Sequence, residues 1–156
     1  MFHIFKKKTS ALMAPIDGKV IALEDVPDPV FAEKLMGDGC AIQSTSDIAY
    51  APADGVITVT IEAKHAFGMH LDNGMELIVH VGLETMEAQG QGFEMLVKEH
   101  DFVKAGTPII RIDRELLKDK NLITPVIITN PEVFELEDVH IGETVQAKES
   151  VLIEYR

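Results

Sequence analysis

The chain has 156 residues, and 14 Lys and Arg against 26 Asp and Glu leave a formal charge of −12. So acidic a chain repels phosphate backbones and anionic lipid, which excludes sequence-independent nucleic-acid binding. The length fits one domain, and a hydrophobic share of 46% can fill a core, which excludes wholesale disorder.

The first ten residues, MFHIFKKKTS, put Lys after a very short apolar patch and offer no small-residue cleavage site, so they do not read as a secretory signal. Phe2, Ile4 and Phe5 before Lys6, Lys7 and Lys8 form only a marginal patch for an anionic membrane surface. The plainer expectation is a flexible segment over 1–12, followed by a single domain over 13–156. Strand signals then dominate: 19–22, 56–61, 76–81, 108–112, 126–129 and 151–155 are short and rich in Val or Ile. The turn clusters Ile16-Asp17-Gly18, Ala53-Asp54-Gly55, Asp72-Asn73-Gly74 and Ala105-Gly106-Thr107 separate them. Two stretches read as helical. One is 29–36, with Asp28 as N-cap, Pro29 in the first turn and Gly37 as terminator; the other is 114–121. No apolar run nears the roughly 20 residues that cross a bilayer. Cys40 is the only cysteine, so no intrachain disulfide is possible, and a reducing cytoplasm is the expected compartment.

Ala14-Pro15-Ile16-Asp17-Gly18 recurs as Ala51-Pro52-Ala53-Asp54-Gly55, four identities in five. Val103-x-x-Gly106-x-x-Ile109 has an echo in Val139-x-x-Gly142-x-x-Val145, which chance reuse of turn chemistry explains equally well. Many short strands with a duplicated unit predict an all-β protein, an antiparallel sandwich or barrel of duplicated hairpins with only short helical turns.

Of the six histidines, His65 and His80 are related by more than composition. Asn73-Gly74 is a strong signal for a two-residue hairpin turn. That turn pairs Asp72 with Met75, puts Phe67 opposite His80, and makes His65 its diagonal neighbour on the same face. The histidine face then carries Phe67, Met69, Ile78 and Ile61, a partly exposed apolar patch suited to docking. Leu77, Val79 and Val81 form the core face. A three-residue loop would instead send the two imidazoles to opposite faces.

A neutral imidazole is a nucleophile near pH 7 and can take a phosphoryl group, while a second imidazole beside it stabilises the charge that develops. No nucleotide, metal or other cofactor is required if the donor is itself a phosphoprotein. The rival is a zinc hydrolase of similar β architecture. Two imidazoles fill only half of a tetrahedral shell, so the expectation is no intrinsic metal, although His65 and His80 could share a zinc ion with a partner's carboxylate.

Several motifs occur in order: Ala14-Pro15-x-Asp17-Gly18, Val26-Pro27-Asp28-Pro29-Val30-Phe31-Ala32-Glu33-Lys34-x-Met36-Gly37-Asp38-Gly39, Lys64-His65-Ala66-Phe67-Gly68, His80-Val81-Gly82-Leu83-Glu84-Thr85, Gly90-x-Gly92-Phe93 and Ile123-Thr124-Pro125-Val126-Ile127-Ile128-Thr129-Asn130. Together they resemble the glucose-class IIA component of the bacterial phosphoenolpyruvate-dependent sugar phosphotransferase system. The resemblance implies an antiparallel β-sandwich of duplicated hybrid motifs and a phosphorelay. The histidine phosphocarrier protein would donate to Nε2 of His80, which would pass the group to a cysteine on the IIB domain of a sugar permease. His65 would stabilise the phosphoryl group, and the Gly82 carbonyl would fix the His80 tautomer. Val30, Phe31, Leu35, Met36, Ile61, Ile78 and Met86 would form an apolar docking ring, with Asp28 and Glu84 as rim acids. Core packing competes for Phe31 and Met36, helix capping for Asp28, and plain solvation for Glu84. Ala63 departs from the family's usual Thr, which would bond the active imidazole. The resemblance further implies a monomer that meets the membrane only through its permease, and possible regulatory partners.

Overall fold

Short Val- and Ile-rich runs suit a pleated surface, and Gly- and Asp-rich turns reverse them every few residues. In the computed structural model, which describes residues 9–156, the chain runs through β1 (Ser10–Met13), β2 (Gly18–Ala22), a one-turn helix α1 (Pro29–Ala32), β3 (Asp38–Ser44), β4 (Ile48–Tyr50), β5 (Gly55–Thr60), β6 (Ala66–Leu71) and β7 (Glu76–His80). It continues through β8 (Phe93–Met95), β9 (Phe102–Val103), β10 (Pro108–Ile112), β11 (Ile123–Ile128), β12 (Leu136–Asp138), β13 (Thr144–Val145) and β14 (Val151–Tyr155). All strand pairings are antiparallel. One sheet has the order β13-β2-β3-β11-β7-β6-β5-β9, and two smaller ones are β1-β14-β12 and β4-β10-β8. Leu12 and Ile153, Ala49 and Ile110, and Leu77 and Val79 come from different sheets yet share one buried cluster. Burying each such aliphatic side chain contributes about 1.5–3 kcal/mol. The result is the β-sandwich expected from the strand signals.

The duplication is real and reciprocal. Met13 donates its N–H to the Pro52 carbonyl at 2.8 Å, and Tyr50 donates to the Pro15 carbonyl at 2.7 Å, so each Ala-Pro segment braces the other. Asp17 Oδ1 accepts from the Ala147 N–H at 2.7 Å, and Asp54 Oδ1 accepts from the Ala105 N–H at 2.8 Å. Val145 pairs with Gly18 and Val103 with Gly55. The second repeat therefore aligns differently from its sequence echo: Val103 corresponds to Val145, not to Val139. Backbone pairing sets the equivalence, and Lys148 (φ 70°) takes the left-handed position that Gly106 (φ 86°) fills in the other copy.

Three other expectations need correction, and one falls outside the described residues. Residues 10–12 are not a flexible tail: β1 pairs with β14, and Leu12 is fully buried. The apolar and basic patch at residues 2–8 lies outside the described residues. The helix at 29–36 stops after one turn, because Lys34 (φ 57°) closes it: Leu35 N–H donates to Val30 O and Lys34 N–H to Phe31 O, a Schellman cap. The stretch 114–121 forms isolated turns. Arg114 is drawn inward to the carbonyls of Ser44 and Ser46, and Leu117 is buried, so the chain follows its anchors rather than a helical repeat.

Candidate functional site

β7 carries His80 at its end, and β6 begins one residue after His65. The hairpin between them is not the expected two-residue turn. Ala66 lies opposite His80 and His70 opposite Glu76, which leaves Asp72, Asn73 and Gly74 as a three-residue loop. Only Gly74 (φ 92°) is left-handed there, whereas the two-residue turn needs two such residues. The Asn73 amide instead accepts from Met75 N–H and donates to the Tyr155 hydroxyl. The shifted register puts Phe67 opposite Val79 and Met69 opposite Leu77, all buried, so Phe67 and Met69 belong to the core and not to the histidine face.

Even so, the two imidazoles meet. Val81 N–H donates to the His65 carbonyl, but Lys64 (φ 63°) breaks the extended run just before it, so His65 lies outside the regular alternation of β6. Its ring turns edge-on to His80, with centroids 4.6 Å apart and Nε2 to Nε2 3.2 Å. His65 is buried, with 1% of its surface exposed, and Phe93 packs at 6.1 Å from its ring; only His80 is partly open. The expected pair of exposed rings is therefore one ring behind the other.

The protons follow from the acceptors. His80 Nδ1 is 2.7 Å from the Gly82 carbonyl, which can only accept, so Nδ1 carries the proton and Nε2 keeps its lone pair. His65 must then donate Nε2–H to His80. Nδ1 of His65 finds no partner among the described residues. Burial, and then the neighbouring His80 ring, push the His65 pKa down to about 4; the Ala63 carbonyl opposes this without forming a sound hydrogen bond to Nδ1. His80 also falls below its ordinary value through burial, opposed by its bond to Gly82 and by the charge of Asp28. Both rings are neutral near pH 7.

The Gly82 carbonyl is itself held in place. Gly82 (φ 88°) has no room for a side chain, since a Cβ would lie 2.4 Å from Thr85 Cγ2 and 2.8 Å from the Asn121 carbonyl. Thr85, fully buried, donates to the Val81 carbonyl at 2.7 Å, and Leu83 N–H donates to Asn121 O. Thr85, Phe93 and Asn121 had no role assigned from sequence, although Thr85 and Phe93 stand inside the quoted motifs.

Asp28 caps α1, accepting from Val30 N–H at 3.0 Å, and its charge also reaches His80. Phe31, for which docking and core packing competed, is buried among Leu23, Val26, Ala41, Leu83 and Ile127, with its ring 5.3 Å from His80. Met36 packs against that same cluster. Val30 (43%), Leu35 (70%) and Met86 (66%) are open to solvent, and Ile78 is half-buried two residues from His80 on the same face of β7. Ile61 and Met86 line a cleft of about 420 Å³ together with Ala63. Glu84 (φ 57°) is exposed and turns the chain into residues 85–88. No helix is long and apolar enough to cross a membrane, among the described residues.

Comparison with known proteins gives the family of the chain. Residues 10–134 match the family described as phosphoenolpyruvate-dependent sugar phosphotransferase system, EIIA 1. The glucose-specific EIIA component of Staphylococcus epidermidis is 43% identical over 142 residues, covering 90% of this chain and 84% of that protein. That of Bacillus anthracis is 43% identical over 141 residues, covering 89% and 86%. A glucose-specific EIICBA component of Staphylococcus carnosus is 40% identical, this chain spanning 21% of its length. The solved glucose permease IIA from Mycoplasma capricolum superposes with a TM-score of 0.89 at 34% identity, covering 97% of this chain and 99% of that one. The chain therefore belongs to the EIIA 1 family of the phosphoenolpyruvate-dependent sugar phosphotransferase system, a family of transferases in sugar uptake.

Proposed function

We propose that this chain is a phosphoryl carrier that works in the cytoplasm, taking the group from the histidine phosphocarrier protein onto His80 and giving it to the IIB domain of a sugar permease. The observation that carries the reading is the 3.2 Å pair of Nε2 atoms with Nδ1 of His80 already committed to Gly82. The His80 Nε2 lone pair attacks the donor's phosphorus. The new N–P bond forms as the donor's N–P bond breaks, and the donor imidazole keeps that electron pair. His65 Nε2–H then faces a phosphoryl oxygen instead of a nitrogen, and this hydrogen bond strengthens as charge spreads over the oxygens. In the onward step a cysteine thiolate of IIB attacks phosphorus, the S–P bond forms as the Nε2–P bond breaks, and His80, still protonated at Nδ1, keeps the electron pair on Nε2 and leaves as the neutral ring. Apart from the phosphoryl group held on His80, no cofactor takes part.

The wall formed by Phe31 and the exposed Val30, Leu35 and Met86 suits a partner with an apolar centre, while Asp28 and Glu84 suit basic residues at its edge. Incubation with phosphoenolpyruvate and the two general phosphotransferase proteins is expected to add one acid-labile phosphoryl mass. His80→Ala should abolish the addition, and His65→Gln should still accept the group but pass it to IIB at least tenfold more slowly. Equal labelling of wild type and His80→Ala would remove His80 from its role.

A further inference from the structure

A third histidine, remote from β7 in sequence, sits among carboxylates. His140 follows β12, and Nδ1 of its ring lies 2.5 Å from Glu143 Oε2, a charge-assisted hydrogen bond in which the ring nitrogen donates. The other nitrogen, Nε2, lies 3.3 Å from Glu154 Oε1 and 3.8 Å from Asp138 Oδ2. The first is long for a hydrogen bond and the second lies beyond one. Good N–H···O bonds span about 2.7–3.2 Å, whereas a tetrahedral ion with bonds of about 2.0–2.2 Å to nitrogen and oxygen holds its ligand atoms roughly 3.3–3.6 Å apart. One atom each from Asp138, His140 and Glu154 lies within 4.8 Å of the others.

The strand register gives an independent reason. Asp138 and Glu154 are direct partners across β12 and β14, and like charges directly opposite destabilise a sheet unless something positive joins them. With the Nδ1 proton donated to Glu143, the neutral ring has its Nε2 lone pair facing these same two acids, whereas the protonated ring donates a long hydrogen bond to Glu154, so a proton and a metal ion compete for this nitrogen. The His140 side chain is only 20% exposed, so bulk water screens it less than it screens its partners.

We propose that His140 Nε2, Asp138 and Glu154 form a site for a divalent transition-metal ion of the zinc class. Glu143 fixes the imidazole through its far nitrogen, the support a metal-bound histidine normally has. One imidazole with two carboxylates suits zinc, whereas magnesium and calcium prefer oxygen alone. The fourth position is left for water. The ion would tie β12 to β14, and through β14 to β1, at the opposite end of the sequence.

Zinc itself is the probe, added to full-length protein stripped with a chelator and followed by calorimetric titration and thermal melting. The expected result is one saturable site per chain and a melting temperature that rises with zinc. His140→Gln and Glu154→Gln should each weaken binding at least tenfold, while His80→Ala should leave it within twofold of wild type. Glu154→Gln, which removes the opposed acids, should melt no lower than wild type in chelator, so a loss of binding there does not reflect misfolding. Absence of saturable zinc binding would mean that a proton alone holds the cluster, and overturns the site. Binding that is unchanged in both His140→Gln and Glu154→Gln overturns it equally.

Discussion

His65 holds a position in which a charged ring has nowhere to put its charge: its Nε2 faces another imidazole, its Nδ1 has no partner, and it is closed off from water. Burial and the His80 ring hold its pKa at about 4, against roughly 6.5 in an unfolded chain. Between those values the unfolded chain binds the extra proton, so the contribution to stability is complete above pH 6.5 and is lost as pH falls toward 4. His65→Gln removes that proton linkage. Denaturant midpoints measured from pH 8 to pH 4 should fall more steeply for wild type than for His65→Gln below pH 6.5, with parallel lines above it. Parallel lines throughout would show that the ring is solvated. Which residues come together was readable from local motifs, because His65, His80, Gly82 and Asp28 each stand in one. The depth of His65 and the burial of Phe31 were not, since both are set by Phe93, Leu83 and Ile127, residues distant in the chain.

At the level of elements, the turn following β7 does the positioning. Gly82 must be left-handed to send its carbonyl back to His80 Nδ1, and Thr85 and Asn121 fill the space where a side chain would go. Gly82→Ala combines backbone strain with a clash, and a cost of about 2–4 kcal/mol is expected in urea unfolding. The rate of phosphoryl acceptance should drop by more than the loss of folded protein, because Nε2 is no longer kept free of the proton. A variant as stable as wild type with normal acceptance would mean that the carbonyl does not govern the tautomer. The hairpin before it shows how far local signals reach. Asn73-Gly74 does mark the reversal, but the hydrogen bonds of Asn73 to Met75 and Tyr155 select the longer loop. The expected face of His65 then failed with the register, and the rings converge with His65 just outside β6, after the left-handed Lys64. Pro125 likewise hid the first half of β11: a proline is rare in a central strand, yet β7 pairs only with Val126–Ile128, so at Pro125 the strand is ladder-bonded on the β3 side alone.

For the molecule as a whole, the duplicated Ala-Pro-x-Asp-Gly unit supplies two matched braces, Asp17 on Ala147 and Asp54 on Ala105. The pentapeptides were visible as a repeat, but their partner segments were not, because one copy carries Gly106 where the other has Lys148. The braces are equivalent in geometry and differ in surroundings: the Asp17 bond is partly buried, and the Asp17 backbone also accepts from Thr45 and donates to Ser46, whereas the Asp54 bond is exposed. An unpaired N–H costs more where water cannot replace the lost partner. Asp17→Ala is therefore expected to lower stability by about 1–2 kcal/mol and Asp54→Ala by about 0.5–1 kcal/mol, read from urea midpoints at constant slope. Each aspartate braces its own segment with no shared partner, so the double variant should show the sum within about 0.5 kcal/mol. A double variant much less stable than that sum would mean that the reciprocal bonds of Met13 and Tyr50 couple the halves, and that the two hairpin units unfold as one body rather than as a pair of separately braced copies.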